Sequence, residues 1–146
     1  MLIAIDFSPS CDQAVALATR LLEPADGAVI LLHVDAVGET APLSADALER
    51  RDQLRAGLER VRQTLDERGV DSVTLLRPGD PAREILRVAQ THAAEMIVMG
   101  THGQSAAATP LLGSVADRVV RYSPFPVLVV PHSSRRPLPS TGSVIV

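Results

Sequence analysis

Five short apolar runs, at residues 2–5, 28–34, 72–76, 95–99 and 127–130, constrain the fold of this chain more than any other feature. Each is rich in Val, Ile and Leu and nearly continuous, without alternation of apolar and polar residues. Strands of a parallel sheet read this way when helices cover both faces. Helical signals recur between the runs. Ser8 as N-cap and Pro9 at the first helical position open one helix, which carries Ala14, Val15, Ala18, Leu21 and Leu22 on one face. A second runs from about residue 44 to 68, with Leu54, Leu58, Val61 and Leu65 as its apolar stripe, and stops at Gly69. Asp80 and Pro81 open a third, which buries Ile85, Leu86, Val88 and Ala89. Gly113 and Ser114 open a fourth, with Val115, Val119 and Val120.

Strictly alternating strands and helices predict an α/β fold with a doubly wound five-stranded parallel sheet. Two strand orders fit, 2-1-3-4-5 and 3-2-1-4-5. In both, ligands bind beyond the carboxyl ends of the strands where the winding reverses. The 146 residues suit one domain, expected over 1–131. Residues 132–146, rich in Ser, Pro and Arg, are expected to form a flexible tail.

Several function classes fall away on composition. A net charge of −3 and 2% aromatic residues give no basic face and no stacking platform for a nucleic acid. The apolar runs are too short to span a membrane. Asp6 ends the first of them at residue 5, so no secretory leader is expected. Cys11 is the single cysteine, which excludes an internal disulfide and suits a reducing compartment; cytoplasm is the expected location. The chain has no Lys, so a Walker A phosphate loop is excluded. Residues 6–11 contain no glycine, which excludes the dinucleotide fingerprint after the first strand. Arg77-Pro78 and the missing Lys exclude a phosphoacceptor receiver domain.

The chemistry concentrates after the fourth strand, in the stretch from Gly100 to Ser114. Gly100 and Gly103 are expected to adopt positive φ and let backbone approach a ligand closely. Gly113 and Ser114 sit where free amides and the helix dipole favour an anion. Thr101, Ser105, Thr109 and Ser114 add hydroxyls, and the stretch holds no Arg. A phosphate here would rest on amides, hydroxyls, His102 and a metal ion. Spacing alone fits an ordinary surface loop capped by Ser114 equally well. Asp6, at the end of the first strand, would lie beside this loop in a 3-2-1-4-5 sheet. There it would accept from a ribose or adenine amino group, or help hold Mg2+; alternatively it is a second cap for the first helix. Catalysis has little support. The chain shows no nucleophile–base pair and no paired carboxylates, and His33, His92, His102 and His132 have no ligand spacing. Cys11 reads as a small residue in a helical first turn. No catalytic residue is therefore expected, and activity would be at most slow hydrolysis of a phosphoanhydride.

Residues 1–131 resemble the universal stress protein family, in its ATP-binding subgroup. The family's signature is Gly, two residues, Gly, nine residues, Gly, then Ser or Thr, and it reads here as Gly100, Gly103, Gly113 and Ser114. Further marks are Asp6-Phe7-Ser8, Leu31-Leu32-His33-Val34, Gly79-Asp80-Pro81, Ile97-Val98-Met99-Gly100 and the run from Pro126 to Pro131. The resemblance implies a 3-2-1-4-5 sheet. It implies that Asp6 and the Val34 backbone contact adenine and ribose, while Gly100, Gly103, Gly113, Ser114 and Val115 surround the phosphates of ATP, with Mg2+. It also implies a homodimer through Val127, Leu128, Val129 and Val130 of the fifth strand, an edge that pairing would cover. The implied function is an ATP-binding stress-response regulator, acting as a homodimeric switch or partner-binding module. A slow ATP hydrolase and a nucleotide-free dimeric interaction protein are the alternatives. The loop interior, Ala106-Ala107-Ala108-Thr109-Pro110, carries no basic residue where the family often places a basic or polar one.

Overall fold

A computed structural model describes residues 1–22, 28–37, 44–103 and 112–132. The elements are β1 (Leu2–Ala4), α1 (Pro9–Leu21), β2 (Val29–Asp35), α2 (Ala45–Asp66), β3 (Ser72–Pro78), α3 (Pro81–Thr91), β4 (Ile97–Gly100), α4 (Ser114–Tyr122) and β5 (Val127–Val130). The sheet is parallel throughout, in the order β3-β2-β1-β4-β5. It is the arrangement that the resemblance implied.

The strands are apolar on both sides because helices cover both. Alternate residues of β1, β2 and β4 point into two separate cores. Ile3, Leu31 and Val98 meet α1 and α2, whereas Leu2, Ile30, Leu32, Ile97 and Met99 meet α3 and α4. Leu2, Ile3 and Ile97 have no exposed surface. Each such side chain contributes roughly 1.5–3 kcal/mol of hydrophobic stabilisation, so β1 and β4 anchor both layers.

The helix starts follow the punctuation in the sequence. Ser8 Oγ accepts from Cys11 N at 3.2 Å, Ser44 Oγ from Ala47 N at 3.2 Å, and Asp80 Oδ1 from Arg83 N at 2.9 Å. Pro9 and Pro81 occupy the first helical positions. At the end of α2, Gly69 takes the left-handed conformation at φ 73°, and Val70 N bonds back to Leu65 O at 3.1 Å.

Strand limits differ from the apolar runs by one or two residues, because ladder pairing rather than side-chain polarity decides them. β2 continues to Asp35 and β3 to Pro78, paired with each other. Asp35 is buried, and its carboxylate takes the Arg50 guanidinium at 2.6 Å, which ties the first turns of α2 to the sheet. Residues 95 and 96 fall before β4. The expected tail beyond residue 132 lies outside the described residues.

The connection between β1 and α1 is strained. Phe7 adopts φ 60°, a left-handed conformation that costs a non-glycine residue about 1 kcal/mol or more. Ser8 N donates to Asp6 Oδ1 at 2.9 Å across this turn. The Phe7 ring lies 5.0 Å from the His33 ring, centroid to centroid. On its other side it fills the space above Gly57 of α2, where an added Cβ would come within 2.8 and 2.9 Å of ring carbons. Replacing a mid-helix glycine by alanine normally stabilises by about 1 kcal/mol. Here overpacking opposes that gain, and Gly57→Ala is expected to destabilise by about 1 kcal/mol net. In a Phe7→Ala background the same change should stabilise. Urea denaturation of the four proteins reads the sign, and a more stable Gly57→Ala single variant would show that the ring simply yields.

Candidate functional site

Residues of β1 and β4 pair directly, Leu2 with Ile97 and Ile3 with Val98, yet the chain leaves the two strands towards opposite faces of the sheet. The divergence opens a cleft of about 360 Å3 at their carboxyl ends. Ala4, Ile5 and Asp6 enter it from β1 and Leu32, His33 and Val34 from β2. Met99 and Gly100 of β4 follow, with Thr101, His102 and Gly103 beyond them. The α4 start closes the far wall with Gly113, Ser114, Val115 and Ala116. The structure thus brings together Asp6, Val34, Gly100, Thr101, His102, Gly103, Gly113, Ser114 and Val115 of the residues that the sequence marked for ligand contact. Ser105, Thr109 and the segment from Ala106 to Pro110 lie outside the described residues.

The segment after β4 is held from below by α1. Ser10 Oγ donates to the His102 carbonyl at 2.7 Å, and Ser8 Oγ lies 3.1 Å from the same oxygen. Both serines are buried. Thr101 N bonds Val130 O at 3.0 Å, and Gly113 N bonds Thr101 O at 2.8 Å, so the α4 start is stitched back to the end of β4.

These contacts change the reading of the glycines. Among the described glycines only Gly69 and Gly79 take positive φ; Gly100 and Gly103 do not, contrary to the sequence expectation. Gly100 has another reason to lack a side chain. An added Cβ would collide with Ser10 Oγ and sit 3.0 Å from the Ser10 carbonyl carbon. At Gly113, whose φ is −62°, a Cβ would lie 3.0 Å from the Thr101 carbonyl oxygen. Gly103 is looser, with Asp6 Oδ2 at 3.6 Å from the Cβ position. Two of the three glycines therefore serve packing within the protein that shapes the cleft.

The electrostatics divide the cleft into two ends. Among the described helices, α4 is the one whose N-cap residue, Gly113, offers no side-chain hydrogen bond. Its first helical bond runs from Asp117 N to Gly113 O, which leaves the amides of Ser114, Val115 and Ala116 without intrahelical partners. Such a helix start favours an anion. The opposite end is apolar, where Leu32, Val34, Pro81 and Ile85 converge. Asp6 is the only formally charged residue among the described lining. His33 Nδ1 donates to the Ile5 carbonyl at 2.6 Å, which fixes its tautomer. His102 Nδ1 meets Thr101 Oγ1 at 2.9 Å, while its Nε2 is buried without a hydrogen-bond partner among the described residues. Cys11 is buried, and burial pushes its thiol up to about 11, which disfavours the thiolate that a nucleophile needs. No cluster of His, Cys, Asp or Glu able to hold a metal ion occurs among the described residues, and no described helix is long and apolar enough to cross a membrane.

Sequence reasoning missed the apolar end. In the sequence Pro81 and Ile85 read as helix initiator and core residue, and both roles are real. The available signal was position: a helix that follows the carboxyl end of β3 begins on the ligand side of the sheet.

Residues 1–131 match the model of the universal stress protein family. The chain belongs to the universal stress protein family. The universal stress protein YxiE of Bacillus subtilis is 32% identical over 143 residues, covering 89% of this chain and 97% of that protein. Among solved structures, MJ0577 of Methanocaldococcus jannaschii superposes with a TM-score of 0.78 at 28% identity, covering 90% of this chain and 95% of that one. A universal stress protein from Archaeoglobus fulgidus, solved in complex with dAMP, shares the fold with a TM-score of 0.68 at 17% identity over 88% of this chain and 94% of that one.

The packing of this universal stress protein's loop can be tested apart from any ligand. Gly100→Ala is expected to cost about 1–3 kcal/mol through overpacking against Ser10. Adding Ser10→Ala removes the worst collision, so the double variant should recover part of that loss. Equal instability of the single and double variants in urea would show that the strain lies elsewhere.

Proposed function

We propose that this universal stress protein is an ATP-binding regulatory module whose nucleotide occupies the β1–β4 cleft. One observation carries the reading: the described residues among those marked in sequence line a single cleft, apolar at one end and bounded by a bare helix start at the other. The adenine would enter among Leu32, Val34, Pro81 and Ile85, with the Val34 backbone and Asp6 contacting base and ribose. The phosphates would lie against Gly103, Gly113, Ser114 and Val115, with Thr101, Ser114 and His102 as further polar contacts.

The described lining suits this division. Backbone amides bind an anion without a formal positive charge, and the Asp6 carboxylate is an acceptor for ribose hydroxyls. Mg2+ would arrive with the nucleotide, held by phosphate oxygens and water, since it needs few protein ligands. The dAMP complex of the Archaeoglobus fulgidus protein shows an adenine nucleotide bound by a member with this fold.

Nothing about His102 favours hydrolysis as the main task. Its Nδ1 partner is a hydroxyl, and no carboxylate orients the ring among the described residues. The proposed module acts in the cytoplasm as a homodimer paired through β5, an outer strand of the sheet with Val127, Leu128 and Val129 half-buried. ATP occupancy would bias that assembly or the partner it meets.

Mass spectrometry of small molecules released on denaturation, with calorimetric titration of ATP, tests the reading. Adenine nucleotide in the purified protein, or saturable ATP binding weakened about ten-fold by Asp6→Ala, is the expected result. Intact ATP after hours supports the module, whereas ADP with continuing phosphate release supports the hydrolase. Absence of both adenine and titratable binding would overturn the reading.

A further inference from the structure

The phosphate end of the cleft has no cation in its described lining, but one stands at its rim. Arg118 follows Ser114 by four residues and Val115 by three on α4, and both of those line the cleft. Helical side chains lean towards their own N-terminus, so from this position Arg118 reaches the start of the neighbouring α3. There it does not hang in solvent. Arg118 Nη1 donates to Asp80 Oδ2 at 2.7 Å, and Asp80 immediately precedes Pro81, which lines the cleft from α3. The ion pair therefore spans the two helix starts that flank the proposed nucleotide.

Resting on the nucleotide reading above, we propose that Arg118 is a phosphate clamp, parked on Asp80 in the empty cleft and transferred to the terminal phosphates when ATP binds. Asp80 is built for such a release, because its two oxygens do separate work. Oδ1 caps α3 through Arg83 N at 2.9 Å, while Oδ2 takes Arg118. Departure of the arginine leaves the cap intact, and the neighbouring Arg83 still acts on the carboxylate. The Arg118 hydrogen bond, and then the Arg83 amide, hold the Asp80 carboxyl below its usual range, so it stays ionised at neutral pH. The side chains of the pair are 49% and 42% exposed. A pair so exposed is held weakly, whereas charge-assisted bonds from Arg to phosphate are strong and often bidentate.

The clamp makes a prediction that a simple staple between α3 and α4 does not. It discriminates by phosphate number. Calorimetric titration of the full chain with ATP and with adenosine reads this directly, in wild type, Arg118→Gln and Asp80→Asn. Arg118→Gln is expected to weaken ATP about ten-fold and to leave adenosine within about two-fold. Asp80→Asn keeps a good helix cap while loosening its hold on Arg118, and should tighten ATP several-fold without changing adenosine. Unchanged ATP affinity in Arg118→Gln would overturn the clamp and leave the nucleotide site standing. Equal losses for ATP and adenosine would reduce Arg118 to a staple and also overturn it. Failure of the wild type to bind either ligand would bring down the nucleotide reading itself, and the clamp with it.

Discussion

The cleft depends on the contact between Gly100 and Ser10. β1 and β4 are adjacent and α1 follows directly from β1, so the first turn of α1 must pass close beneath the end of β4. Only a residue without a Cβ lets them meet there. Once they meet, the two buried serine hydroxyls gather the His102 carbonyl, and that carbonyl turns towards α1 rather than into the cleft. The backbone that follows can then return through Gly113 to start α4 against Thr101. Geometry at a packed helix–strand junction thus fixes where the bare amides of α4 point. It is an indirect route to the proposed site, since Gly100 and Gly113 are held close to Ser10 and Thr101 of the protein itself.

How much of this was legible in sequence depended on whether a feature is local. Caps at Ser8, Ser44 and Asp80 were readable, because a side chain bonding an amide three residues on is a local event. The two-faced burial of Leu2, Ile3, Ile97 and Val98 was readable too, since a strand apolar at every position must be covered on both faces. Strand order was not: residues alone left two orders open, and the family resemblance chose between them. The candidate residues were legible as a set because they lie at or just beyond strand ends or at the start of α4. Their reasons were less so. Positive φ was expected at Gly100 and Gly103, but among the described glycines it belongs to Gly69 and Gly79, outside the motif. The real constraint on Gly100 comes from Ser10, far earlier in the chain, and no local pattern announces it. Arg118 escaped notice for the opposite reason. It sits inside a helix, beyond the glycine-rich loop, and only its ion pair with Asp80 brings it beside the start of α3.

The charge pattern bears on what such a cleft does with a phosphoanhydride. Phosphoryl transfer is accelerated by cations placed where negative charge develops, on the leaving and transferring oxygens. The described lining offers dipoles, hydroxyls and one carboxylate, and the arginine at the rim is engaged by an aspartate. Amides that grip ground-state phosphate and transition state alike give uniform binding. Uniform binding of that kind raises occupancy without lowering the barrier. An arginine that joins from the rim adds grip in the same even manner unless it reaches the bridging oxygen. On the proposed reading, the cleft is suited to being filled, and the information it passes on is whether a triphosphate is present.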